Sequence, residues 1–195
     1  MKHIYGIFLK SVRYLMAIVM VTLLFTVTAS CSNDKREAAI SYVLKQIYQA
    51  PDPELINLSD KMSKEIDNAS KSGTEYNLEN SEFFISLAKQ YEDYMTEEYY
   101  EKLLSRRIPY QYHLLMTELG YVMNVQDIDI TKNDNNAEAY DFVVKLSFEP
   151  KEGESNNLEI QGSAQFENDS NRINYLNLLE DNLTKKLTEL NASMK

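Results

Sequence analysis

The hydrophobic period of this chain switches from helical to alternating at Gly120, and that change limits the folds open to it. Before Gly120 apolar residues recur at helical spacing; after it they alternate. In one later segment Tyr140, Phe142, Val144, Leu146 and Phe148 interleave with Asp141, Val143, Lys145, Ser147 and Glu149. In the next, Leu158, Ile160, Gly162, Ala164 and Phe166 interleave with Glu159, Gln161, Ser163, Gln165 and Glu167. Such alternation predicts antiparallel strands with one face buried and one solvated. Val122 to Thr131 reads as a further strand with Ile128 and Ile130 on one face. The segments 132–136, 150–157 and 168–171 are rich in Asn, Asp, Ser and Gly and read as turns. Large residues of the Tyr140 strand face the small Gly162 and Ala164, which predicts room for a crossing helix or a concavity.

The helical half is punctuated by its own caps. From Lys35 to Ala50 the stripe is Ile40, Val43, Leu44, Ile47 and Tyr48, ended by Pro51. Asp52-Pro53-Glu54 supplies cap, first-turn proline and first-turn acid for a second helix, with Leu55, Met62 and Ile66 inward. Lys71 to Asn80 reads as a loop. Ser81 caps a third helix carrying Phe83, Phe84, Leu87, Tyr91 and Tyr94. Thr96 restarts it with Glu97 and Glu98 at the favourable end of the helix dipole. Tyr99, Tyr100, Leu103 and Leu104 continue the stripe to Arg106-Arg107 and Pro109, and Tyr110 to Leu119 forms a short helix closed by Gly120. Arg172 to Leu178 fits either a last strand or the start of a helix; from Leu179 on, Leu183, Leu187, Leu190 and Met194 fit a terminal helix. The expected fold class is α+β. N-terminal helices pack on one face of a curved antiparallel sheet of three to four strands, a C-terminal helix follows, and residues 35–195 form one domain.

Ahead of that domain, Lys2, Lys10 and Arg13 lead into the apolar run Leu15 to Val27, which closes on Thr28-Ala29-Ser30-Cys31. The run suits a signal-peptide core of about 7–15 residues better than a span needing about 20. Thr28-Ala29-Ser30-Cys31 resembles the lipobox of bacterial lipoproteins, departing from it at Thr28, where that family prefers Leu, Val or Ile. The resemblance implies a signal peptide over 1–30 and cleavage before Cys31. It also implies a diacylglyceryl group on that sulfur, a second acyl chain such as palmitate, and a tether over 31–34. An uncleaved anchor and a plain secreted protein are the other readings. All three put the domain outside the cytoplasmic membrane, and the lipoprotein resemblance makes Ser32 permissive for outer-membrane sorting in a two-membraned cell.

Without residues 1–30 the chain keeps all 30 acids and loses three of its 20 bases, a formal net charge near −13. That balance argues against nucleic acid and against electrostatic docking on anionic lipid. Cys31 is the only cysteine, which excludes disulfides and thiolate catalysis from the domain. His113 is the one histidine beyond the leader, too few for a catalytic zinc site. Asn133 to Glu138 lacks the glycine and the bidentate glutamate of a calcium loop and reads as a hairpin turn. No cofactor motif is present.

The element order, with Thr96 to Leu104 before the strands, resembles the nuclear-transport-factor-2-like or cystatin-like folds of small bacterial lipoproteins. The resemblance implies a binding or assembly module at the cell envelope, with no cofactor and with an envelope protein or a small apolar ligand as partner. The same fold hosts isomerases and cyclases. That alternative would need a pocket lined by Tyr91, Tyr99, Tyr112, Phe142 and Phe166 and a carboxylate base, for which Asp141 or Asp127 is a candidate. Both aspartates alternate onto the solvated face of their strands. A third reading pairs two chains through the Leu179–Met194 helix.

Overall fold

The computed structural model describes residues 35–150 and 155–193. The leader 1–30, Cys31 with its tether 31–34, and Met194 of the terminal stripe lie outside the described residues. Residues 39–195 form one compact unit.

The first stripe lies on a helix over residues 35–48 (α1), where Ile40, Val43, Leu44, Ile47 and Tyr48 are wholly buried. The second helix is Pro53–Ser72 (α2). Asp52 caps it by accepting from the amides of Glu54 (2.8 Å) and Leu55 (3.3 Å), and Gly73 closes it at φ 70°. Leu55 is buried and Met62 half-buried, but Ile66, expected inward, is exposed. At 1.5 Å per residue these 20 residues reach about 30 Å and outrun the core they pack on. Part of the expected loop is ordered differently, since α2 runs to Ser72 and Leu78–Asn80 makes a 3-10 turn.

Ser81 caps Glu82–Tyr91 (α3), its hydroxyl accepting from the Phe84 amide at 3.3 Å. The chain then leaves the helix, and this break is a strand contact. Ile173 donates to the Tyr94 carbonyl (2.8 Å), and Thr96 donates to the Ile173 carbonyl (3.0 Å). Glu97–Ser105 (α4) and Gln111–Leu119 (α5) follow, and Gly120 ends α5 in the left-handed region at φ 68° that glycine occupies without penalty.

Four strands come next: Tyr121–Lys132 (β1), Ala139–Pro150 (β2), Asn156–Phe166 (β3) and Ile173–Leu179 (β4). They pair antiparallel in the order β1-β2-β3-β4, and Asp181–Ser193 (α6) ends the chain. The open alternative at Arg172 to Leu178 is therefore a strand. Leu179, expected to begin the terminal helix, ends β4 and is exposed.

The strand faces carry the expected division. Tyr140, Phe142, Val144, Leu146 and Phe148 are all buried, as are Ile160, Ala164 and Phe166 on β3. α4 lies against β4, α5 against β1 and α6 against β3. The protein is thus α+β, with helices covering one sheet face. In β1 the register shifts between Val125 and Asp127, so that Met123, Val125, Ile128 and Ile130 sit opposite Phe148, Leu146, Val144 and Phe142. The bulge changes which parity of residue faces inward. On the outer face Lys145 bonds Asp127 (2.9 Å) and Asp129 (3.0 Å), an exposed cluster that holds the Asp127 carboxyl below its ordinary range.

The room expected over Gly162 is filled from within the sheet. A Cβ there would meet the far edge of the Phe142 ring and the Asn177 carbonyl oxygen. The ring of the neighbouring strand occupies the volume that a side chain would need, and no concavity remains at that point.

Candidate functional site

Three apolar doublets in the helical half set up the site: Phe83-Phe84, Tyr99-Tyr100 and Leu103-Leu104. Adjacent residues on a helix are about 100° apart, so one member of a doublet enters the core and the other stands beside it. Phe83, Tyr99 and Leu103 are buried, whereas Phe84, Tyr100 and Leu104 are only partly covered. This second row, with Ala88, Met95 and Tyr110, lines a groove of about 1030 Å³ beside α3 and α4. The Phe84 and Tyr110 rings meet edge to face at 6.3 Å. Leu78, nearly half exposed, also lines it.

Five carboxylates line the same groove: Glu79, Glu92, Asp93, Glu97 and Glu101. All five residues are exposed, and among the described residues Arg172 is the one basic residue of the lining. Summed charge of one sign over low-dielectric walls focuses the field and raises the local concentration of cations. Tyr100 stacks on Tyr91 with centroids 5.6 Å apart. Both hydroxyls are sealed from solvent without a hydrogen-bond partner among the described residues. Burial pushes the Tyr100 phenol up to about 12 and the Tyr91 phenol higher still, so both stay protonated at neutral pH.

None of the residues singled out from the sequence lines that groove. Tyr91, Phe142 and Phe166 are in the packed core. Tyr99 is also buried, and its hydroxyl donates to the Leu176 carbonyl at 2.6 Å. Asp127 is held by Lys145, and the exposed Asp141 accepts from Asn133 at 3.2 Å on the outer face. The Asn133 to Glu138 segment joins β1 to β2 as a turn, with Asn133 and Asn136 accepting from amides two residues on.

Tyr112 has a carboxylate beside it that the sequence did not single out. Glu180, between β4 and α6, accepts from Tyr48 at 2.7 Å, and the Tyr112 hydroxyl lies against the same group. Both phenols are raised, by burial first and then by the Glu180 charge. A shallow cleft of about 510 Å³ runs past Tyr112, Glu180 and Arg106. A free base needs an open lone pair in reach of its proton, and here the carboxylate is engaged by a tyrosine donor. The trio joins α1 and α5 to the junction of β4 and α6. In the sequence reading Glu180 fell in the terminal helix, so nothing marked it as a partner of Tyr48.

His113 is a second buried polar group, and it is saturated. Its Nδ1 accepts from the Asp52 amide at 3.0 Å, which leaves Nε2–H to donate to the Gln46 carbonyl at 2.8 Å. Burial lowers its pKa. Among the described residues no three His, Cys, Asp or Glu side chains converge as a metal site. Comparison with protein-family models, with curated proteins and with solved structures finds no match to this chain.

Proposed function

We propose that this chain is a bacterial envelope lipoprotein anchored through Cys31, whose α+β domain of nuclear-transport-factor-2-like order acts as a binding or assembly module without cofactor. The observation that carries the binding reading is the groove beside α3 and α4. The inner sheet face is filled by its own aromatic and aliphatic side chains, yet Phe84, Tyr100 and Leu104 keep apolar surface open. A concave cleft that joins an apolar lining to a few polar groups is the usual form of a binding site. The basic leader, its apolar core and the small residues before a lone cysteine support the anchor.

Anchoring and binding are tested separately. Intact mass spectrometry of the detergent-extracted protein finds Cys31 as the N-terminus with an acyl increment, and Cys31→Ala loses that increment while its domain stays folded by circular dichroism; another N-terminus, or an unacylated Cys31, refutes the anchor. Ala88→Trp fills the groove and abolishes uptake of an apolar fluorescent probe that the unsubstituted protein takes up. Equal uptake by both proteins refutes the groove as the binding surface.

A further inference from the structure

We infer that the groove beside α3 and α4 takes a basic amphipathic peptide segment of a partner protein. The inference rests on the groove being the binding surface and adds what that surface selects. Three observations combine. The volume of about 1030 Å³ lies at the upper limit of small-ligand pockets, which run about 300–1,000 Å³, and so suits a row of side chains. Half of the lining residues are aromatic or aliphatic, among them Phe84, Tyr100 and Leu104, and that part rewards apolar anchors at helical spacing. The rim carries Glu79, Glu92, Asp93, Glu97 and Glu101 against the single Arg172.

Charge complementarity decides the sign of the occupant. An acidic or phosphorylated segment would meet like charge on the α3–α4 rim, and a neutral one would leave that field unused. Lysine or arginine flanking the anchors pairs with the carboxylates, and its cation can lie over the faces of Phe84, Tyr100 or Tyr110, rings that favour such contact. Glu97 and Glu101 are one helical turn apart on α4, a spacing matched by basic residues repeating every turn of a bound helix.

The test uses the full chain in non-ionic detergent and a dye-labelled peptide of about four helical turns carrying leucine at i, i+3, i+4 and i+7 with lysine between. Two control peptides replace lysine with glutamine or glutamate. Fluorescence anisotropy should show binding of the lysine peptide that weakens about tenfold in the combined variant Glu92→Gln, Asp93→Asn, Glu97→Gln, Glu101→Gln. The same binding should fall as salt rises and be lost in Ala88→Trp. Ser105→Trp, at the exposed rim, serves as the blocking variant if Ala88→Trp does not fold. If the glutamine peptide binds as tightly as the lysine peptide and the blocking variants still abolish binding, the charge inference is overturned while the groove remains the binding surface. If no peptide and no apolar probe responds to the blocking variants, both readings fall together.

Discussion

Replacing Gly162 with alanine tests the inner packing of the sheet, because intrinsic propensity and structure give opposite signs. Glycine inside a strand costs about 0.5–1 kcal/mol relative to alanine, so propensity alone makes Gly162→Ala stabilising. In place, however, the new methyl would run into the Phe142 ring edge and the Asn177 carbonyl oxygen. The ring belongs to a residue 2 % exposed with little space to rotate into, and the carbonyl belongs to the paired strand β4. Overpacking of this kind costs about 1–3 kcal/mol, which outweighs the propensity gain and leaves a net loss of about 1–2 kcal/mol. Urea denaturation should therefore show a midpoint lower by about 0.5–1 M at unchanged slope. The two collisions can be separated. Phe142→Leu removes the ring edge but not the carbonyl, so the double variant should be more stable than additivity predicts by more than the usual error of about 0.3–0.5 kcal/mol, without full recovery. A higher midpoint for Gly162→Ala, or strict additivity in the cycle, refutes the account of Phe142 filling the space over Gly162.

Two further tests address the buried polar groups. His113 folds neutral, because Nδ1 must stay free to accept from Asp52, and its pKa is lowered by burial below the ordinary 6.5. At a pH between the folded and the unfolded value the unfolded chain binds more protons, so its share of stability is present above about pH 6.5 and is lost as pH falls through the folded pKa. Denaturation midpoints measured on the acid side of neutrality, but above the carboxylate range near 4, should drop for the native protein and stay flat for His113→Gln. A drop of equal size in both would assign the effect to other groups. Tyr48→Phe removes one donor to Glu180 and should cost about 1–2 kcal/mol; Glu180→Ala should then cost less in that background than in the native protein, the remainder being the loss of the Tyr112 contact. Additive losses would mean that the two side chains act independently.

What the sequence made legible is what local chemistry decides. Asp52 and Ser81 cap their helices, Gly120 turns the chain from helix to strand, and the parity of β2 and β3 names their inner faces, although Ser147 of the outer set is also buried. Illegible features needed a second element. Ile128 and Ile130 give the inner face of β1 by parity, yet Met123, of opposite parity, is wholly buried, and only the pairing with β2 shows the bulge that reconciles them. Ile66 continues a good helical stripe, but a stripe does not say where the neighbouring element ends. Gly162 and Ala164 marked missing volume correctly and could not show that Phe142 lies across it. Glu180 became a partner of Tyr48 through a contact spanning 132 residues, which no local pattern records.

The doublets are the point at which fold and function separate. A helix that only has to pack needs one apolar row, and Phe83, Leu87 and Tyr91 supply it for α3, as Tyr99 and Leu103 do for α4. Phe84, Tyr100 and Leu104 pack against that core from its edge, and part of each stays uncovered. Nothing in the folding of the domain requires five exposed acids along the same groove; gathered there, they repel one another. On the reading we propose, the arrival of a ligand that covers the apolar row and brings positive charge to its rim relieves both the apolar exposure and the like-charge crowding.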